Sequence, residues 1–108
     1  MSLDIYAIVV KPVEVASHNI THNVHGQIRA AGADPWEYQG RRIADTLEEL
    51  LACHKALHDP AREAELRKFD APNGWGILDH SRKFVRALLR SAEDVVAEYP
   101  DATWRVSR

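Results

Sequence analysis

The stretch Ala71-Pro72-Asn73-Gly74-Trp75-Gly76 separates the charge-rich middle of the chain from a long amphipathic segment. Two glycines around a tryptophan, preceded by Pro-Asn, are typical of a sharp chain reversal, because glycine adopts positive φ at little cost. Aromatic residues are often buried where elements join, so we expect Trp75 to close the end of the core beneath a helix start. The alternative is that Trp75 forms the wall of a ligand pocket.

The segment after this corner, from Ile77 to Glu98, predicts one long helix that packs on two layers. Its apolar residues cover an arc of roughly 140°, wider than the stripe of about 100° that packing on one side needs. One layer is a sheet, and the other is either the preceding helix or a second copy of the protein. The width of the arc therefore also predicts a homo-oligomer.

The charged residues of the same helix follow an unusual order. The first half carries Arg82, Lys83, Arg86 and Arg90, and the second half carries Glu93, Asp94 and Glu98. The helix dipole prefers the opposite order, so stability alone does not select it. The order places positive charge near the helix start, where backbone N–H groups already favour an anion. We therefore predict an anion site that uses Arg82 and Arg86, with a solvated, internally paired face as the alternative.

The N-terminal segment Leu3–Val10 is rich in β-branched residues and apolar at both alternating sets of positions, which predicts a strand covered on both faces. Pro12 interrupts it. Because proline cannot donate to a ladder, Val13–Val15 is either a bulged continuation of the strand or a short second strand at an edge. We expect the bulged continuation.

The C-terminal residues 102–108 alternate between apolar and polar side chains after Pro100 ends the long helix, which predicts a strand with Trp104 inward. A second long helix is predicted from about Arg41 to Leu57, with His54 in its packed seam. We expect one α+β domain over residues 1–108: a small antiparallel sheet that pairs the N- and C-terminal strands, with the two long helices packed on it.

Two polar stretches supply further candidate ligand contacts. Residues 17–26, read as a strand, place Asn19, Thr21 and Asn23 in a row on one face. Read as a helix start, they make Thr21 or Asn23 an N-cap, which fits the C-terminal half better. The loop at residues 33–40 carries Trp36 and Tyr38, which either cover the edge of the core or offer stacking surfaces to a planar ligand.

Histidine spacing raises the question of a metal. A helix would gather His18, His22 and His25 on one side, and His54 with His58 forms another pair. Neither group matches an established ligand signature. We therefore predict no cofactor and no metal, and a histidine- or metal-dependent enzyme is the weakest alternative.

The composition is that of an ordinary globular domain, with 45% hydrophobic and 28% charged residues. The net charge of -2 predicts no general affinity for nucleic acid. The single cysteine, Cys53, suits a reducing compartment and a small buried side chain. The apolar run Ile5–Val10 is too short to span a bilayer and follows Asp4 instead of a basic region. We expect a cytoplasmic protein without a membrane partner or a signal peptide.

Several motifs together characterise this chain: Asn19-x-Thr21-x-Asn23-Val24, Asn73-Gly74-Trp75-Gly76, Tyr99-Pro100-Asp101-Ala102-Thr103 and the terminal Arg105-Val106-Ser107-Arg108. In this order they resemble a group of small uncharacterised proteins of actinobacteria and their phages. The resemblance implies a source and no activity. With a phage source, a sequestering role toward host molecules is admissible by analogy.

No catalytic signature accompanies these motifs, since the chain has no Gly-x-Ser-x-Gly sequence and no phosphate-binding loop. We predict a non-enzymatic binding protein for a small polar ligand, anionic or nucleotide-like. The predicted ligand-binding residues are Asn19, Thr21, Asn23, Trp75, Arg82 and Arg86. The alternative is a protein-interaction module that acts through the wide apolar face of the helix at residues 77–98.

Overall fold

A three-stranded antiparallel sheet and four α-helices form the fold in a computed structural model that describes residues 2–9 and 14–108. The elements are β1 (Ser2–Ile8), β2 (Glu14–Thr21), α1 (His25–Ala31), α2 (Leu47–Leu57), α3 (Glu63–Arg67), α4 (Leu78–Glu98) and β3 (Thr103–Ser107). The strand order is β2-β1-β3, so the N-terminal strand lies in the centre. The α+β class is confirmed.

The terminal strands pair as predicted. β1 and β3 are antiparallel, with Ile5 opposite Val106 and Ala7 opposite Trp104. Trp104 is buried, and its indole N–H donates to the hydroxyl of Thr46 at 3.0 Å. Strict alternation in β3 therefore directs the large ring to the core, where a polar partner satisfies its one donor.

β1 buries only one of its faces. Leu3, Ile5 and Ala7 have no exposed surface, whereas Asp4 and Tyr6 between them are partly exposed. The prediction of a strand covered on both faces is wrong, because the helices cover one side of the sheet and leave the other side to polar cross-strand pairs. Val10 lies outside the described residues.

The segment after β1 forms a second strand instead of a bulged continuation. β2 pairs antiparallel with β1, and the register shifts between Ala7 and Ile8. The prediction of a continuation is wrong, and the edge strand that it was weighed against is present. Pro12 and Val13 lie outside the described residues. β2 starts beyond this proline and occupies a sheet edge, where a missing N–H does least harm.

Both interpretations of residues 17–26 hold, one in each half. β2 extends to Thr21, whose hydroxyl then accepts a hydrogen bond from the backbone N–H of Asn23 at 3.4 Å and caps a short 3-10 turn. α1 follows directly and ends at Gly32, which has a φ of 117°. The side chain of Thr21 is thereby committed to local structure.

Only one of the two predicted long helices has the expected length. α4 has 21 residues, whereas α2 has 11 and is preceded by a 3-10 turn at Ile43–Thr46. The hydroxyl of Thr46 donates to the carbonyl oxygen of Ile43 at 2.7 Å, a local bond that favours the tighter turn over the α-helix. Within the described ranges no helix is both long and apolar enough to cross a bilayer.

The loop between α1 and α2 covers the edge of the core. Trp36 and Tyr38 are almost completely buried, and the phenol of Tyr38 donates to Glu49 at 2.9 Å. Burial, followed by the charge of Glu49, raises the pKa of Tyr38. Cys53 is also buried, as predicted, and burial raises the pKa of its thiol to about 12. Rings buried in this way are closed to a stacking ligand.

α4 buries its apolar arc within the chain. The buried members are Leu78, Phe84, Val85, Leu88, Leu89, Ala92 and Val95. The helix packs against both α2 and β2, so the prediction of two layers is confirmed. Intramolecular packing accounts for the width of the arc, and a homo-oligomer stays a prediction.

Candidate anion-binding groove

The glycine corner holds Trp75 outside the core. The side chain of Trp75 is 72% exposed, so the predicted core plug is wrong. The corner is fixed by its main chain instead: the Trp75 N–H donates to the side chain of Asn73 at 3.0 Å, and the Trp75 carbonyl accepts from Asn23 at 2.6 Å. These polar bonds define the turn without any contribution from the ring.

Asn23 packs closely against Gly76 at this corner. Gly76 has a φ of 114°, and a Cβ atom added there would lie 2.6 Å from the Cβ of Asn23. Only glycine tolerates both the conformation and the contact. Asn23 and Trp75 are therefore brought together, as the predicted site requires, but their contact is a structural one through the Trp75 carbonyl group.

A carboxylate of the protein itself, that of Asp70, binds the N-terminus of α4. The carboxylate of Asp70 accepts from the Leu78 N–H at 2.8 Å, and the ring of His80 accepts from the Ile77 N–H at 3.3 Å. The Asp70 carboxylate also accepts from Gln27 at 2.9 Å. A side-chain carboxylate at this position satisfies the free N–H groups and the helix dipole. The expectation that the corner leaves these groups free for a ligand is wrong.

The predicted polar row on β2 does not form one site. The side-chain amide of Asn19 donates to Asp4 at 2.7 Å, across the open face of the sheet. Thr21 caps the turn that follows the strand, and Asn23 bonds the glycine corner. The row predicted from strand alternation ends at Thr21, because the chain leaves the sheet there.

Arg82 is fixed by three acceptors. Its guanidinium donates to the carbonyl oxygen of Leu57 at 2.7 Å and to Glu63 at 3.0 Å, and it lies 3.5 Å from Asp79. The hydrogen bond from Arg82, followed by the charge of Arg67, lowers the pKa of Glu63. Arg82 thus connects α4 to the end of α2, and its position depends on groups from three parts of the chain.

Arg82 and Arg86 meet in a groove of about 300 Å³ between the end of α2 and the first half of α4. His58, Asp79 and Lys83 form the rest of its lining. The guanidinium of Arg86 lies 3.4 Å from Nε2 of His58. Two of the six predicted ligand residues are therefore neighbours in a concave site, which we call the Arg86 groove.

Three cations beside this groove keep their charge uncompensated. Lys83, Arg86 and Arg90 are exposed, and no carboxylate among the side chains that the structure describes lies within 4.0 Å of them. Their spacing of three and four residues places them on one line of α4. We call this line the basic crest; its Lys83 and Arg86 line the Arg86 groove, and Arg90 follows one turn further along the helix. These three residues are solvated, as the alternative predicts, but they make no internal ion pair with a described side chain.

The histidine in the groove, His58, has a lowered pKa. Burial, followed by the charges of His54, Arg86 and Arg82, lowers the pKa of His58. The ring is therefore neutral at pH 7, and its Nε2 can accept from Arg86. An anion in the groove would favour the charged imidazolium and raise this pKa.

The other histidines contact different partners: His22 and His25 both pack against Trp36, and the ring centroid of His54 lies 4.6 Å from that of His58. His18 lies 2.8 Å from the hydroxyl of Ser91, and His25 lies 2.8 Å from the carboxylate of Asp34. Burial lowers the pKa of His18. In the part of the chain that the structure describes, no group of three or more His, Cys, Asp or Glu side chains is arranged to hold a metal ion.

Sequence patterns missed His58 and Asp70. The sequence indicated His58 only as the partner of His54 in a histidine pair. Its position beside Arg86 depends on how α2 packs on α4. Asp70 lies eight residues before the N–H group that it binds, beyond the reach of a local capping pattern. No family model, curated protein or solved structure matches the chain.

Proposed function

We propose that the protein is a non-enzymatic binding protein whose Arg86 groove holds a small phosphate-bearing ligand of the nucleotide type. The observation that carries the proposal is the basic crest of Lys83, Arg86 and Arg90, which has no carboxylate partner among the described side chains and contributes Lys83 and Arg86 to the groove. Cations that make no internal ion pair retain their full attraction for an external anion.

The three basic side chains of the groove have different tasks. Arg82 is held in place by Leu57, Glu63 and Asp79, so it shapes the floor. The exposed guanidinium of Arg86 can bind two phosphate oxygens at once through its planar fork. Lys83 adds a mobile point charge at the rim. This division makes Arg86 the residue whose loss should weaken binding most.

The size of the groove limits what it can enclose. A volume of about 300 Å³ is at the lower end of the range for small-molecule pockets. A phosphate chain fits such a volume with its charge against the crest, while a base or sugar would lie outside on the protein surface. We therefore expect the phosphates, more than the base, to determine affinity.

Isothermal titration calorimetry with inorganic triphosphate and with ATP tests the proposal. Arg86→Glu should weaken binding of both probes by about tenfold or more at low salt, since it replaces a charge-assisted bond by repulsion. Its melting temperature should stay close to the wild-type value, because an exposed charge contributes little stability. Arg105→Glu is the matched control, because it makes the same charge change on the open face of the sheet, where Arg105 stacks on Tyr6.

Equal weakening by both variants would mean that only net charge matters, and the groove would then not be the site. Absence of binding to the wild-type protein at millimolar probe would remove the proposal altogether. Similar affinity for triphosphate and ATP is the expected result, and a strong preference for ATP would require a base contact that the groove does not supply.

A second candidate function rests on the exposure of Trp75. Its ring is 72% exposed, and Phe69, which precedes the corner in the chain, is 43% exposed. Exposed tryptophans are over-represented among residues that dominate protein interfaces. In this reading the corner docks a protein partner. The test is affinity capture with wild-type protein and with folded Trp75→Ala, and equal recovery of every captured protein would end it.

A further inference from the structure

The two edges of the sheet differ in their hydrogen bonding. Along β3, the Trp104 N–H donates to the Arg41 carbonyl at 2.9 Å, and the Val106 N–H donates to the side chain of Gln39 at 2.8 Å. Along β2, residues 17–21 make no backbone hydrogen bond to any described residue outside the sheet. β2 is therefore an open edge, a position at which another strand can add.

The register identifies which groups of β2 point outward. Val106 directs its N–H away from β1, so Ile5, which lies opposite Val106, directs its main-chain groups to β2. Its partner there, His18, is thereby bonded to β1. Ser17 and Asn19, on either side of His18, direct their N–H and C=O groups to the open edge.

α4 runs beside this edge and changes charge at its midpoint. His18, in the middle of β2, lies 2.8 Å from Ser91 of α4. Ser91 separates the basic crest from the acidic residues Glu93, Asp94 and Glu98. None of these three carboxylates makes an ion pair with another described residue. The half of α4 before Ser91 thus carries unpaired positive charge, and the half after Ser91 carries unpaired negative charge.

We propose that β2 pairs antiparallel with β2 of a second copy, around a two-fold axis at the level of His18, with Ser17 opposite Asn19 of the second copy. The sheets of the two copies then form one continuous sheet, and the two α4 helices lie antiparallel on the same face of it. The two-fold axis brings the basic half of each α4 to the acidic half of the other. The charge order that opposes the helix dipole is explained by this pairing.

The contact between His18 and Ser91 fixes the position of α4 along β2, and therefore which residues of the two α4 helices lie opposite each other. With the axis near the midpoint between Ala87 and Ser91, Ala87 faces Ser91 of the second copy, and Lys83 lies within one residue of the level of Asp94. Two small side chains at the crossing point allow the helices to approach closely. Arg86 reaches toward His58, 3.4 Å away, whereas Lys83 lines the Arg86 groove and also faces the second copy, so the groove and the dimer share Lys83.

The first test concerns the strand edge. Ser17→Pro removes an outward N–H but no bond to β1, so the fold should persist while the dissociation constant of the dimer rises by about tenfold or more. Ser17→Ala, which keeps the N–H, is the control and should remain a dimer. Sedimentation equilibrium at tens of micromolar measures both, and circular dichroism checks the fold.

The second test concerns the helix charges and does not depend on the tolerance of β2 for proline. Lys83→Glu and Asp94→Lys should each weaken the dimer by about tenfold at low salt, since each replaces two symmetric attractions by repulsions. The double variant Lys83→Glu/Asp94→Lys should recover it, as should an equimolar mixture of the two single variants.

A wild-type protein that sediments as a monomer at these concentrations overturns the proposal. So does a dimer that folded Ser17→Pro leaves intact. If Ser17→Pro unfolds, the charge exchange decides: recovery in the double variant supports the interface, and single variants that dimerise as the wild type does overturn it.

Discussion

Two loops of this protein have the same sequence character and opposite structures. Residues 33–40 and residues 71–76 both combine glycine and proline with a tryptophan, yet Trp36 is 2% exposed and Trp75 is 72% exposed. The ring of Trp36 stacks on His25, with centroids 4.2 Å apart. The main-chain carbonyl oxygen of Trp36 also accepts a hydrogen bond from Arg108 at 2.6 Å. The corner at Trp75 has only polar main-chain bonds.

The difference shows which part of loop structure is encoded locally. Glycine and proline determine where the backbone turns, and both loops turn where their sequences predict. Whether a ring is buried depends on what α1 and β3 place beside it, and no local pattern contains that information. The following predictions use substitutions to test this contrast, beginning with the largest effect.

Trp36→Ala should lower the free energy of unfolding by about 3–5 kcal/mol, because it empties a closely packed site over the core. Urea denaturation followed by circular dichroism measures the change. A loss below about 1 kcal/mol would mean that residues 33–40 do not pack as described, and the contrast between the loops would disappear.

Gly76→Ala should destabilise the protein by about 2–3 kcal/mol, since the added methyl group meets Asn23 at 2.6 Å while the backbone has a φ of 114°. Gly74→Ala is the matched control. Gly74 also has a positive φ, of 77°, but open space around its Cβ position, so the expected loss is about 1 kcal/mol. Equal losses would show that the contact with Asn23 does not hold the corner.

Trp75→Ala should change the free energy of unfolding by less than about 0.5 kcal/mol, as expected for an exposed side chain outside the core. The same denaturation experiment compares it directly with Trp36→Ala. A large loss would restore the interpretation of Trp75 as a core plug and would contradict the exposed position of its ring.

Much of the architecture follows from the sequence because its signals are local. The alternation around Trp104 and the wide apolar arc of α4 both predicted the correct element and the correct buried face. The edge strand β2 was an alternative and not the preferred prediction, because a strand at the edge of a one-sided sheet carries few apolar residues. Its helix-facing side chains include His18, which bonds Ser91 in place of packing in the core.

The candidate site was less accessible from the sequence than the fold. Arg82 and Arg86 were predicted from charge order, and both line the Arg86 groove. The polar row on β2 and the glycine corner were assigned to the same site because each is rich in hydrogen-bonding groups. Asp4 accepts a hydrogen bond from Asn19, and Asp70 accepts one from the Leu78 N–H. These bonds join segments that are distant in sequence, so local patterns do not reveal them.

The most direct test of the Arg86 groove is the titration of His58 by NMR, with and without inorganic triphosphate. Burial, followed by the charges of His54, Arg86 and Arg82, lowers the pKa of His58 below 6.5 in the free protein. A bound anion favours the imidazolium, and we expect the His58 pKa to rise when triphosphate is added, while that of His18 stays unchanged. An unchanged His58 pKa at saturating triphosphate would contradict binding in this groove.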